Sequence, residues 1–469
     1  MPYNIRIVST YLPRMCGIGT FSRDLANALE HFTGEIGHIR VAAIDNNKMP
    51  YNIPVDLVID QYNLESWHKA TADIVARARE SANPTIVLLQ HEYGLDPDKD
   101  GNEAKGNNFV TMAKTFSQQG LLTIVYLHTL LDNPNSHQRK ILQDLAHYSD
   151  GFIVTTEQAV DILESDTYKI NRLKVKHIDH GIRIRTPSQS DRLVIKKEYG
   201  FENRILISTL GLRSPGKGIQ YSIGAYARFL NESCTKDQKE NIVYLIAGYC
   251  HPEFVKADAG RFYREYQAII EQSLKDSGLR WCEVKELGTG GFKDYDIVFY
   301  NAFLDDNTLM KLYSATNIMV LPYLNMRQIS SGILADTLGA GRVAIATKFT
   351  FAFELISPKM RGREGIIVDK HARGILVDPG EPSIEQIAQV LDYLVFDRDE
   401  RLRMEKRAHE RGHRMRWDNV AWELLQHIEF LQSKRQEIPS RGIQLIRKKA
   451  SIFTEKNAKL LVKRLATMD

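Results

Sequence analysis

Short β-branched runs alternate with longer stretches of helical period along most of the chain. The runs fall at 5–9, 39–44, 57–59, 85–90, 122–128, 152–155 and 175–178. Between the first two, Phe21, Leu25, Ala28, Leu29 and Phe32 recur at helical spacing, and 66–80 and 138–147 also read as helices. A polar break at 187–191 interrupts the pattern, which then restarts. Runs at 204–210, 242–247, 297–300, 318–321, 343–346 and 375–377 read as strands, with helices at 219–229, 309–315 and 330–338 between them. Alternation of this kind predicts parallel sheets covered on both faces. The expected fold class is therefore α/β, with two doubly wound, Rossmann-like domains spanning about 1–185 and 186–405. Such sheets bind ligands at the carboxyl ends of their strands, and two facing domains place a cleft there.

Composition narrows the class. The 469 residues include no run of 18 apolar positions, so no transmembrane helix is expected. The chain enters its first strand without a signal-peptide hydrophobic region. Four scattered cysteines, with no CxxC pair, predict neither a zinc site nor a disulfide framework and point to a reducing cytoplasm. The formal charge of +4 hides an asymmetry: 434–469 carries +7 and the rest −3. A slightly acidic body speaks against nucleic-acid binding. In the tail, Ile446, Ala450, Phe453 and Leu461 fall on one helical face among basic residues. That pattern suits a peripheral contact with anionic lipid at the inner membrane face, or an ordinary solvated helix, which its few large apolar residues favour.

Two loops suit phosphate. The first strand runs into a turn with Gly17 and Gly19 and then into a helix, where close backbone approach and a helix N-terminus attract an anion. The second domain opens the same way, with Gly211, Arg213, Gly216, Lys217 and Gly218 before a helix. Arg213 and Lys217 there suit a diphosphate. Strand ends supply further candidates. His128 closes one apolar run, and His91 with Glu92 closes the preceding one, as weaker acceptor contacts. His180-Gly181 at the end of the first domain reads as a hinge turn. Asp294-Tyr-Asp296 reads as a surface turn. Trp417 and Trp422, on a segment of helical spacing, read as packing anchors.

These stretches resemble glycosyltransferase family 4, retaining enzymes of the GT-B fold, over about 1–430. The resemblance is carried by 211–218, similar to the family's GRLxxxKG turn, and by 322–341, similar to its PSxxEGFGLPxLEAMAxG segment. Phe353-Glu354-Leu355 and 373–378 follow the same pattern, as do 16–21, 90–94, 127–129 and His180-Gly181 in the first domain. It implies a first domain for the acceptor, a second for the nucleotide-sugar, and helices over 406–433 crossing back to the first domain. It also implies transfer of a hexosyl group, with mannose or glucose the guesses, to a glycan, lipid-linked or small-sugar acceptor. No cofactor and no metal are expected, because cations and glycine loops stabilise the leaving diphosphate. His128, Lys217 and Arg213 would be catalytic. Gly17, Gly19, Gln328, Ser330, Ser331, Gly332, Asp336, Glu354, Tyr300 and Asn301 would hold the donor.

The chain departs from the family pattern in two places. Leu212 stands where the family has Arg, with Arg213 one residue on, and the EX7E pair falls on Gln328 and Asp336. Gln328 can hydrogen-bond a sugar hydroxyl but carries no charge. These changes keep a second reading open: a GT-B-like protein that binds nucleotide-sugars with weak or lost transfer. A phosphorylase-like enzyme would need a pyridoxal phosphate lysine that no sequence context marks.

Overall fold

The computed structural model describes residues 2–32, 34–46, 48–96, 99–100, 103–104, 107–131, 133–183, 189–250, 252–288, 291–357, 363–368 and 370–437. The amphipathic reading of the tail lies outside the described residues beyond 437.

The first half builds strands β1 (Tyr3–Ser9), β2 (Ile36–Asp45), β3 (Val55–Asp60), β4 (Thr85–His91), β5 (Lys99–Asp100), β6 (Glu103–Ala104), β7 (Leu122–Leu127), β8 (Gly151–Val154) and β9 (Val175–His177). Seven of them form a parallel sheet in the order β3-β2-β1-β4-β7-β8-β9, while β5 and β6 pair as a small antiparallel ribbon. The second half builds β10 (Ile205–Leu210), β11 (Ile242–Ala247), β12 (Trp281–Val284), β13 (Ile297–Tyr300), β14 (Ile318–Leu321), β15 (Val343–Thr347) and β16 (Gly374–Val377). These form a second parallel sheet, β12-β13-β11-β10-β14-β15-β16. The expected α/β class with two doubly wound sheets is what the chain adopts.

The strands read as continuous apolar runs because both sheet faces are covered. Leu206 and Leu210 of β10 enter one core layer of the second half, and Ile207 between them enters the other. The helix Leu64–Glu80 starts where Asn63 accepts from the backbone N–H groups of Glu65 and Ser66. Helix Ser136–Tyr148 starts at a capping box between Asn135 and Gln138. Side-chain oxygens thus fix helix starts slightly ahead of the first apolar repeat. β12 has no counterpart among the expected strands. It is a four-residue edge strand whose Trp281 and Glu283 are exposed, too short for its alternation to register.

In each sheet the strand order reverses beside the first strand. β1 lies between β2 and β4, and β10 lies between β11 and β14. This reversal opens a crevice at the carboxyl ends of those strands, where the connecting loops diverge. Among the described residues no helix is long and apolar enough to cross a membrane.

Candidate active site

The loops at the carboxyl ends of both sheets line one cavity of about 910 Å³. That is the size of a small-molecule or cofactor site. Its walls come from both halves, including Gly17 and Thr20 from the first, Lys217 and Ser331 from the second, and Trp417 from the last helix.

The second half supplies a rigid turn after β10. Gly218 has φ +62°, and a Cβ there would lie 2.1 Å from the Pro322 carbonyl oxygen. Only glycine fits that backbone and that approach. The neighbouring Lys217 lines the cavity, its Nζ 3.6 Å from the centre of the Tyr323 ring. A cation held over an aromatic face is positioned without being neutralised.

Arg213 does not line this cavity. It is buried, with a guanidinium N–H donating to Asn301 Oδ1 at 2.7 Å and the group 5.6 Å from the Phe299 ring. Asn301 in turn donates to Glu283 at 2.8 Å. The catalytic expectation for Arg213 is corrected accordingly. Leu212 occupies the wall position, and the next side chain along the turn is directed away from it. Tyr300, Asn301 and Glu354 also lie outside the cavity lining. Gly19 is buried against the backbone of Tyr11, 3.4 Å from where its Cβ would be, so it serves helix–loop packing while Gly17 faces the cavity.

The histidines divide by strand alternation. His128 faces the cavity, with Nε2 2.7 Å from Gln90 Oε1 and its ring stacked near Tyr126 and edge-on to Phe21. Burial, then the neighbouring His180 and His91, pushes its pKa down to about 3. His91 turns the other way, into the first half's core between Tyr93 and Phe109. Burial there lowers it to about 4. An acceptor contact for His91 is therefore corrected: its place in β4 puts it on the opposite face from Gln90. Glu92 does line the cavity, accepting from the Thr129 hydroxyl, and burial raises its pKa.

His180 is more than a turn. It lines the cavity, its Nδ1–H donates to the Gly181 carbonyl at 2.7 Å, and its ring packs near Phe21 and Trp417. Burial brings it down to about 4. Trp417 sits directly on Gly181, where a Cβ would fall 2.2 Å from the indole. Trp422 stacks near Phe32 at 6.1 Å. Trp417 thus anchors its helix to the first helix, Gly17–Glu30, through Phe21, and Trp422 to Phe32 just beyond that helix.

Gln328, Ser330, Ser331, Gly332 and Asp336 all line the cavity. Ser331 caps helix Gly332–Gly339 by accepting from the Leu334 N–H. Gln328 folds back to donate to the Ser330 carbonyl at 2.7 Å. Between them, Ile329 is buried in the first half's core, and Thr155 of that half donates to the Ile329 carbonyl at 2.6 Å. A loop of the second sheet is thereby seated in the first.

The sequence reading missed an ionic cluster. Asp336 accepts from the backbone N–H and the guanidinium of Arg183, both at 3.3 Å. Arg183 also meets Asp306 at 2.8 Å and Asp24 at 3.6 Å. Arg23 bonds Asp24 at 2.6 Å and also bonds Asp306. Burial raises the Asp336 pKa against the pull of Arg183. Burial would also raise Asp306, but hydrogen bonds from Arg183 and Arg23 outweigh it and hold it low. The clue available in sequence was the Arg23-Asp24 pair on a helix whose N-terminus faces the cleft. Arg183, just past the hinge turn, gave no motif. Asp296, expected on a surface turn, is buried, its carboxylate tied to the backbone and guanidinium of Arg280 at 2.8 to 3.2 Å.

No protein-family model matches the chain, and no curated protein sequence matches it. Solved structures do. Anabaena HepE in complex with UDP superposes with a TM-score of 0.63 at 13% identity, covering 91% of this chain and 100% of that one. The UDP-forming α,α-trehalose-phosphate synthase of Burkholderia xenovorans, in complex with glucose-6-phosphate, gives 0.62 at 12%, over 92% and 100%. An E. coli structure bound with UDP-2-fluoro glucose gives 0.59 at 13%, over 92% and 99%. The two facing parallel sheets, with the cavity at their carboxyl edges, are those of the GT-B fold.

Proposed function

We propose that the protein is a retaining, metal-independent hexosyltransferase of the family 4 type, moving a sugar from a nucleotide-sugar donor to a carbohydrate or lipid-linked acceptor. The observation that carries this reading is the cavity wall formed by Lys217 on its glycine-locked turn opposite the Ser331-capped helix Gly332–Gly339. One ammonium and a helix start line the same cavity, groups that suit a leaving diphosphate. UDP-glucose is the first donor to test, because HepE and the E. coli structure hold UDP-sugars. A phosphorylated sugar is the first acceptor, because the Burkholderia synthase holds glucose-6-phosphate.

In this reading Lys217 neutralises the diphosphate and the N–H groups at the helix start hold its oxygens. His128, kept neutral by burial, lies beside the sugar and can hydrogen-bond a hydroxyl. The acceptor oxygen attacks from the face the diphosphate leaves, and a phosphate oxygen takes its proton. The protein's contribution is position and field. Asp336 reaches the ribose hydroxyls only by exchanging part of its pairing with Arg183.

One observation favours the second reading, binding without transfer. Gln328 is turned onto Ser330, and Asp336 is held by Arg183, so two donor contacts are occupied internally. The test is release of free nucleoside diphosphate from UDP-glucose, GDP-mannose and related donors with glucose-6-phosphate and simple sugar acceptors. Release with an α-linked product from an α-linked donor is the expected result. Stabilisation by UDP, about 2.7 kcal/mol at 100 times its Kd, without release from any donor would establish binding alone.

A further inference from the structure

The helix Arg398–Arg414 carries a feature that the cavity chemistry does not use. His409 and His413 stand four residues apart, one turn of helix, so their side chains meet on one face. Their Nε2 atoms lie 3.0 Å apart and their rings are nearly perpendicular. His409 turns its Nδ1 toward the carbonyl of Gly339, 3.3 Å away. A carbonyl can only accept, so the Nδ1 carries the proton and the Nε2 lone pair points at His413. A backbone carbonyl that fixes the tautomer in this way is the usual partner of a metal-binding imidazole. His413 is exposed, so the pair opens to solvent.

We infer that His409 and His413 form a bidentate site for a divalent transition-metal ion, with water filling the remaining positions. Two imidazole nitrogens bound at 2.0 to 2.1 Å to one ion lie about 3 Å apart; the pair already has that spacing as a hydrogen bond, which an ion replaces once the His413 proton sits on its Nδ1 and the rings turn both Nε2 lone pairs toward the metal. Among the described residues no group of three or more His, Cys, Asp or Glu is placed to hold a metal ion. This pair therefore suits ions that accept two imidazoles and water, in the order Cu²⁺ above Ni²⁺ and Zn²⁺. The site lies at the C-terminal end of helix Gly332–Gly339, whose start lines the cavity. It is independent of the glycosyltransferase reading.

The test titrates tag-free, EDTA-stripped full-length protein with CuCl₂, NiCl₂ and ZnCl₂ by calorimetry. Wild type, His413→Gln and His409→Gln are compared. Glutamine at 413 can still donate to His409, so it keeps the hydrogen bond and removes the ligand. The expected result is one saturable site per chain in wild type, at least about tenfold weaker in either variant. Electron paramagnetic resonance of the Cu²⁺ protein should show nitrogen splitting that either variant diminishes. Equal affinity and stoichiometry in all three proteins, or an unchanged spectrum in both variants, would overturn the assignment. Circular dichroism confirms that each variant is folded.

Discussion

The two halves present opposite chemistry at the same topological position. The first half's carboxyl edge carries imidazoles that burial keeps uncharged, His128 and His180, beside the buried Glu92. The second half's edge carries Lys217, a glycine turn that admits no side chain, and a capped helix start. The carboxyl edge thus carries a cation and a helix start in one half and buried, hydrogen-bonding imidazoles in the other. Even the glycines differ: Gly218 is fixed by its φ and by Pro322, whereas a Cβ at Gly17 would have nothing within 4 Å. A shared topology thus fixes where a site lies, and local side chains decide which end of a substrate it meets.

Breaking the glycine turn should have the largest effect. Gly218→Ala puts a Cβ against the Pro322 carbonyl in a left-handed conformation, and should lower unfolding stability by about 3 kcal/mol. Thermal or urea unfolding measures it.

Acid should act behind the cavity wall, in the first half's core. His91 has its folded pKa depressed to about 4 from an ordinary value near 6.5. The unfolded chain therefore binds the proton more tightly. The stability from keeping His91 neutral is complete above about pH 6.5 and is lost as pH falls toward 4. Between pH 7 and 5 this one group should remove about 2 kcal/mol. Urea unfolding at both pH values should show wild type losing that much more than His91→Leu. Equal losses would mean that the histidine takes up its proton without unfolding the core.

The cation should matter for affinity more than for stability. Lys217→Ala should weaken UDP binding roughly tenfold to a hundredfold, the worth of one charge-assisted contact. Arg213→Ala should change UDP affinity much less and stability more, since it removes the donor to Asn301 Oδ1 and a buried guanidinium. Calorimetric titration with UDP, beside melting curves, separates the two. The smallest effect belongs to Gly17→Ala, which should leave stability unchanged or raise it by up to about 1 kcal/mol.

Much of the fold was legible because parallel strands covered on both faces announce themselves as apolar runs. The lapses have physical causes. β12 is an edge strand, where exposure erases the pattern. His91 and His128 look alike in sequence, each ending a run, and only the register of β4 and β7 puts one in the core and the other on the wall. Arg213 read as a phosphate ligand because it sits in the right turn. One residue of displacement sends it to Asn301 instead. The Arg23, Asp24, Arg183, Asp306 and Asp336 cluster joins residues up to 313 positions apart, and no local spacing encodes it.

The seating of Ile329 in the first half's core carries a consequence for how variants of this protein should be read. Donor-loop geometry and first-half packing are coupled quantities, and thermodynamic coupling is reciprocal. Under the proposed donor reading, a substitution deep among Phe109, Leu127 and Val154, in the core rather than the cavity wall, will register as a change in nucleotide affinity. Under the same reading, bound nucleotide will in turn raise the resistance of that core to unfolding, by an amount set by its affinity and concentration. Screening by affinity alone would credit such residues with recognition they do not perform.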